Sequence, residues 1–307
     1  LDPEAARVRF PGDLPRRIER CVPRLAAELA RREGQGSARL QGRGLEWVGF
    51  RPYRSGDDAS QIDPSLLARL GRPFVRETRR EGSSRWLLAL DQSASLAVGR
   101  PSKLQALAEI AAALCALALR AKARITLLSM AAGAAEHSSA RTTLERSADL
   151  LRGLRFLSEL RASGRDGAWR APPELADCAR VFWLSDPFVG EPRVLDGWLA
   201  QGREVTVVHA LAPLESAPPS AGLWRWRCPE TGQLRSVLID AANRERYSAQ
   251  LEARLSAWAQ HAAARRVRHV LVSSAEPFEA AMPRLLGSSS APAGGRGPGP
   301  ARGAKAP

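Results

Sequence analysis

Lysine is almost missing from this chain. Lys103, Lys122 and Lys305 are the only three, and the other 43 of its 46 basic residues are arginine. A formal charge of +14 ordinarily points to nucleic acid or an anionic membrane. Here an arginine bias that comes with abundant Ala, Gly and Pro reads instead as the mark of a GC-rich genome. No basic run is interleaved with aromatics as in single-strand binders. No helix-turn-helix, zinc-finger or RRM pattern is present, so nucleic acid is not the expected partner. Cysteine is scarce: Cys21, Cys115, Cys178 and Cys228 lie far apart without CxxC spacing. That argues against a disulfide framework and suits a reducing cytosol. His137, His209, His261 and His269 are scattered, which disfavours zinc. The sequence also lacks a Gly-x-Ser-x-Gly elbow and a phosphate loop ending in Gly-Lys-Ser/Thr. Nothing near Leu1 reads as a signal peptide. The most apolar stretch, Leu104 to Leu119, contains Gln105 and Glu109 and falls short of the roughly 20 residues a span requires. A cytoplasmic protein with no membrane span is expected.

The 307 residues, 44% of them hydrophobic, suffice for a substantial core. A helix is expected from Pro15 to Glu33, with Ile18, Val22, Leu25 and Leu29 on its apolar face and Gly34-Gln-Gly36 at its end. Residues 41–80 are irregular, with extended pieces around Trp47 to Tyr53 and Phe74 to Arg79. From Trp86 onward, apolar strands alternate with helical stretches. The expected strands are 86–91, 124–130, 180–185, 203–210 and 268–273, with an edge strand near 134–139. The expected helices are 102–121, 143–160, 191–201 and 244–266. Alternation at this spacing predicts βαβ units and a mainly parallel sheet with helices on both faces. The segment 213–239, with Trp224, Trp226 and the turn Pro229-Glu-Thr-Gly232, reads as a hairpin insertion. Residues 287–307 are rich in Gly, Pro, Ser and Ala and are expected to form a disordered tail.

The residues most suggestive of chemistry are Leu90-Asp91-Gln-Ser93-Ala-Ser95. Trp86 to Leu90 is continuously apolar, as a strand buried on both faces should be. At its end a carboxylate and two hydroxyls recur at every second position. In an open α/β sheet, ligands bind beyond the carboxyl ends of the strands, and hard oxygen donors there suit Mg²⁺ or Mn²⁺. The competing reading is a strand end whose Asp and Ser residues only cap the next helix, and the motif by itself leaves both open. Asp57, Asp58 and Asp63 lie close to Arg51, Arg54 and Arg69. They read either as a docking surface or as a loop held by local Arg–Asp pairs. Trp86 and Trp183 are expected in the core, whereas Trp198, Trp224 and Trp226 are more open.

Taken together the segments resemble domain-of-unknown-function family 58, bacterial proteins with a von Willebrand factor A-like domain that are associated with MoxR-type AAA+ ATPases. The resemblance rests on Gly42-Arg-Gly44-Leu-Glu46-Trp-Val-Gly-Phe-Arg51-Pro-Tyr53-Arg54-Ser-Gly56-Asp57-Asp58, on Ile62-Asp63, on Ala68-Arg69 and on Phe74-Val75-Arg76-Glu77. It continues through Asp91, Ser93 and Ser95 to Gly99 and Ser102-Lys103-Leu104, then to Leu184-Ser185-Asp186, Glu230-Thr-Gly232 and Tyr247. It covers about residues 40 to 286. There are departures. Pro64 follows Asp63 where the family has Trp, and Leu96 stands where Met often follows the second serine. The Thr of a metal-ion-dependent adhesion site has no counterpart in 162–170. Either Ser163 or Asp166 stands in for it, or the ligand is lost.

The resemblance implies an α/β, von Willebrand factor A-like (Rossmann-type) sheet flanked by helices over residues 81–286, with a family-specific extension at 1–80. It implies a non-enzymatic protein-binding module with Mg²⁺ or Mn²⁺ at Asp91, Ser93, Ser95 and Asp186, held weakly or not at all without a partner's carboxylate. The implied partner is a MoxR-type AAA+ ATPase, acting on a client protein in chaperone-like remodelling or assembly. The alternatives are a metal-assisted hydrolase or phosphatase, and a scaffold whose metal site has decayed. No enzyme is expected: an aspartyl phosphotransferase wants a second carboxylate two residues after its nucleophile, and Ser93 occupies that position.

Overall fold

Among the described residues of the computed structural model, six strands form the central sheet. The model describes residues 7–36, 45–53, 57, 62–80, 84–130, 140–163, 178–188, 190, 195–199, 203–217 and 219–287. The chain divides into two units, Leu1–Ala27 with Arg85–Pro307, and Glu28–Ser84. The expected extension at 1–80 therefore splits, and its first part belongs to the α/β unit. The division falls inside helix α1 (Leu14–Gly36), which runs slightly past the expected ends and buries Ile18, Val22, Leu25 and Leu29. The start of α1 is fixed to the α/β unit by a forked pair. Arg17 donates from Nε and Nη2 to the two carboxylate oxygens of Glu279, each over 2.7 Å.

In the second unit, β1 (Leu45–Pro52) pairs antiparallel with β2 (Phe74–Arg80), where extended chain is expected. Between them α2 (Pro64–Leu70) begins at Asp63, whose Oδ1 accepts from the amides of Ser65 and Leu66. Pro64 at the first helical position needs no hydrogen-bond donor there, so the departure from the family pattern suits a helix start. Arg51 forms a two-point ion pair with Asp57. Local pairing and capping thus account for Asp57 and Asp63, while Asp58 and Arg54 lie outside the described residues.

The sheet of the α/β unit has the order β10-β7-β6-β3-β4-β5. Its members are β3 (Arg85–Asp91), β4 (Arg124–Met130), β5 (Arg141–Leu144), β6 (Arg180–Ser185), β7 (Glu204–Leu211) and β10 (Arg268–Ser273). All neighbours are parallel except β4 and β5. The fold is mixed α/β with a mostly parallel sheet flanked by helices. Trp86 to Leu90 are fully buried, as their unbroken apolar run predicts. Leu87 and Ala89 share a core with Val181, Trp183, Val205 and Val207, closed by Trp258 and Ala262 of α7 (Ala241–Ala264). Each fully buried aliphatic side chain of this kind contributes about 1.5–3 kcal/mol. Helix α3 (Lys103–Arg120) is Ala- and Leu-rich, starts at Ser102, whose Oγ accepts from the Gln105 amide, and is buried along most of its length.

Two stretches differ from expectation. The helix expected at 143–160 is shorter: Arg141–Leu144 is a strand, and α4 covers Leu150–Ser158. The β-branched pair Thr142-Thr143 favours extended chain. Asp149 then accepts from the amides of Glu145 and Arg146, turning the chain before the helix starts. Of the helix expected at 191–201, Leu195–Leu199 is described and is helical, as α5, whereas α8 (Phe278–Leu286) is an element the sequence pattern did not suggest. The edge strand expected near 134–139, and the tail apart from Gly287, lie outside the described residues. The hairpin is present as β8 (Gly222–Arg227) and β9 (Leu234–Ile239), reached through the single turn α6 (Pro213–Ser216). Trp224 and Trp226 are exposed on it, and the side chain of Trp198 is not described.

Candidate functional site

From β3 the chain moves through α3 to β4 on one side of the sheet, and later to β6 on the other. The order of strands therefore reverses between β3 and β6, which in open α/β sheets is where the ligand crevice lies, at the carboxyl edge. Leu90 pairs with Leu184, which sets the next residues, Asp91 and Ser185, side by side with Asp186 just beyond. The four residues expected to form the site, Asp91, Ser93, Ser95 and Asp186, come together here.

They form one continuous chain of contacts. Asp91 Oδ1 accepts from the Ser93 amide over 2.7 Å, and its Oδ2 accepts from the hydroxyls of Ser93 (2.9 Å) and Ser185 (2.7 Å). Ser93 Oγ and Ser95 Oγ are 3.0 Å apart. Ser95 donates to Asp186 Oδ2 over 2.6 Å, and Asp186 Oδ1 accepts from the Phe188 amide over 2.8 Å. Asp91, Ser93, Ser185 and Asp186 are all buried. Burial pushes the Asp91 carboxyl up to about 7. The bonds from Ser185 and Ser93 pull the other way, and the nearby charge of Asp186 adds to the rise.

Three residues that the motif did not single out complete the cluster. Ser185 is the first. Lys103, at the start of α3, is fully buried, and its Nζ donates to Asp186 Oδ2 over 2.9 Å and to Glu215 Oε1 over 2.7 Å. Glu215 in α6 uses its other oxygen to accept from the Ala212 amide, and its carbonyl accepts from the Tyr247 hydroxyl over 2.7 Å. Phe188 stands at the rim, its ring centroid 5.6 Å from Lys103 Nζ. In the sequence, Lys103 and Tyr247 appear only as part of the family resemblance. Glu215 carries no local signal beyond its place after a proline.

Glycine is required behind the motif. Gly99 has φ +102°, and a Cβ there would lie 2.9 Å from both Ala212 Cβ and the Pro101 carbonyl oxygen. That close approach holds the loop after Ser95 against the end of β7. On the other side, the Ser163 amide donates to the Gln92 carbonyl over 3.0 Å, which puts Ser163, in the described start of the stretch 162–170, beside the motif. The side chain of Ser163 is exposed, and Asp166 lies outside the described residues.

The donor set suits a hard divalent cation on one side. With Asp91 ionised, the hydroxyl protons of Ser93 and Ser95 point to the two carboxylates. Two lone-pair-bearing oxygens then face each other at 3.0 Å with no proton between them. Adjacent oxygens around an octahedral Mg²⁺ ion, with bonds of roughly 2.1 Å, stand about 3 Å apart. On the other side, Asp186 already meets a positive charge from Lys103. Among the described residues no group of three or more His, Cys, Asp or Glu side chains is arranged to hold a metal. His209 and His269, 3.0 Å apart across β7 and β10, belong instead to an aromatic cluster with Trp183 and Trp258.

The chain belongs to the family described as Protein of unknown function DUF58, whose model matches residues 49–257. Among solved structures it is similar to a conserved hypothetical protein, BatB, from Bacteroides thetaiotaomicron, with 13% identity over 66% of this chain and 96% of that one and a TM-score of 0.41. An aerotolerance-related membrane protein from Bacteroides fragilis matches at 13% identity over 66% and 96% of the two chains, with a TM-score of 0.40. The pilus adhesin RrgA of Streptococcus pneumoniae matches at 13% identity over 53% and 24%, with a TM-score of 0.23. No curated protein matches.

Proposed function

We propose that this family member is a non-catalytic protein-binding module, built on a von Willebrand factor A-like sheet, that recognises an acidic group of a partner through a divalent ion. Asp91, Ser93 and Ser95 would hold Mg²⁺ or Mn²⁺, with Asp186 completing the protein's share. The ion would supply positive charge at the crevice and open positions for a partner's carboxylate. The observation that carries the reading is the convergence of these four side chains, from the ends of two adjacent strands, where the strand order reverses. As the partner we propose the one that the resemblance to family 58 implies, a MoxR-type AAA+ ATPase that remodels or assembles a client complex.

Affinity capture with the full chain tests this, run in parallel with Mg²⁺, with a chelator, and with Asp91→Ala in Mg²⁺. The proposal expects an AAA+ ATPase, identified by mass spectrometry, in the first arm alone. Capture of the same ATPase in all three arms would remove the metal from the mechanism. Metal-dependent turnover of a phosphate ester, lost in Asp91→Ala, would replace binding by catalysis.

A further inference from the structure

We propose that Lys103 is the resident counter-ion of Asp186, and that it sets the site's affinity for a divalent ion by competing for that carboxylate. The inference rests on the reading of this crevice as a metal site.

The two carboxylates of the site are treated differently. Asp91 takes its hydrogen bonds from hydroxyls and one amide. Asp186 takes an ammonium on the same oxygen that accepts from Ser95. Neither Lys103 nor Asp186 has any side-chain exposure, so water does little to screen the pair. A divalent ion drawing on Asp186 would share that oxygen with a fixed positive charge at hydrogen-bond distance, in a buried place where water does little to weaken the repulsion between like charges. The three neutral or singly charged donors on the Asp91 side must then hold the ion largely alone, and hydroxyls are weak partners for Mg²⁺.

Lys103 also has somewhere else to go. Its Nζ already lies 2.7 Å from Glu215 Oε1, and Glu215 is anchored through Ala212 and Tyr247. The ammonium can give up Asp186 and keep one charged partner. Glu215 is thus the second seat of a two-seat lysine. Its carboxylate lets an ion claim Asp186 without stranding a buried charge, which would otherwise be very costly.

The test is direct titration of Mn²⁺ into the full chain, read by calorimetry and by the loss of the free Mn²⁺ spin-resonance signal. Wild type, Lys103→Met, Glu215→Gln, the double variant and Asp91→Ala are compared, with circular dichroism on each. The expected result is weak binding by wild type and binding at least tenfold tighter by Lys103→Met. Glu215→Gln should weaken binding when Lys103 is present and have little effect when it is not. Asp91→Ala should abolish binding. If the Met variant does not fold, Lys103→Gln, which keeps a donor for Asp186 without the charge, carries the same expectation. Equal affinity of the Lys103 variants and wild type, with Asp91→Ala still abolishing binding, would overturn the role of Lys103 and leave the metal site standing. No saturable binding by any of them would overturn both.

Discussion

The hydroxyl of Ser185 donates to Asp91 Oδ2 over 2.7 Å and so ties the carboxyl end of β6 to that of β3. Both residues are buried, and the bond is one of the few influences that favour the ionised form of Asp91. The strand pairing delivers it: with Leu90 opposite Leu184, no loop rearrangement is needed to bring the two side chains together.

Ser185→Ala should therefore cost about 1.5–3 kcal/mol, the range for a hydrogen bond to a charged group. The cost should be larger above pH 7, where Asp91 is ionised, than at pH 5. Urea unfolding at the two pH values measures it. An equal cost at both would show that the bond does not depend on the carboxylate's charge.

Asp91 itself should make stability fall as the pH rises. Its folded-state value of about 7 lies above the ordinary 3.8, so between roughly pH 4 and 7 the folded chain retains a proton the unfolded chain has lost. In chelator, Asp91→Asn should gain stability relative to wild type at pH 8, and most of that gain should vanish at pH 5. Thermal melts of the two proteins give the difference. A pH-independent difference would contradict a carboxyl whose burial outweighs its hydrogen bonds.

The histidine pair works in the opposite direction. Burial holds His209 well below 6.5 and brings His269 down to about 4. Both rings stay neutral in the folded chain while the unfolded chain takes up protons, so their contribution is lost as the pH falls from about 6.5 towards 4. Measured in the Asp91→Asn background, which removes the opposing carboxyl, the urea midpoint should be lower at pH 5 than at pH 7. A midpoint that is unchanged or higher at pH 5 would place the protons elsewhere.

Gly99→Ala should disturb the motif loop more than its size suggests. The new methyl meets the Pro101 carbonyl and Ala212 Cβ at 2.9 Å, and φ +102° is unfavourable for any other L-residue. A loss of about 2 kcal/mol or more is expected on unfolding, against a few tenths for Gly12→Ala, where a Cβ meets nothing within 4 Å. Similar losses at the two positions would argue against a close-packed loop behind Ser95.

Much of the sheet is legible in the sequence because its strands are unbroken apolar runs, Trp86 to Leu90 and Val181 to Leu184 above all. Helix α3 is legible for the same reason, being Ala and Leu between a serine cap and Arg120. The four oxygen-bearing residues are visible as a spacing, three of them two residues apart from the end of one strand onward, plus the Asp of a Ser-Asp at the end of another. Lys103 and Glu215 are not visible in that way, and Ser185 is visible only as the neighbour of Asp186 in the Ser-Asp pair. A buried lysine looks like any helix-start lysine until the fold brings Asp186 and Glu215 to it from positions 83 and 112 residues away. The strand at Arg141–Leu144 is hidden because a short edge strand and a helix start compete for the same few residues, and Asp149 separates them by accepting from the amides of Glu145 and Arg146. The division of the first 80 residues is hidden too, since α1 carries one apolar stripe straight through it.

The most direct measurement is the paramagnetic broadening of backbone amide signals on adding small amounts of Mn²⁺ to the full chain, which reports a site even when the ion is held weakly. The amides of Ser93, Ser95, Asp186 and Phe188 should broaden first, and Asp91→Ala should abolish that pattern. Broadening that begins at other carboxylates, or that persists unchanged in Asp91→Ala, would mean that the crevice between β3 and β6 is not where this protein takes a metal ion.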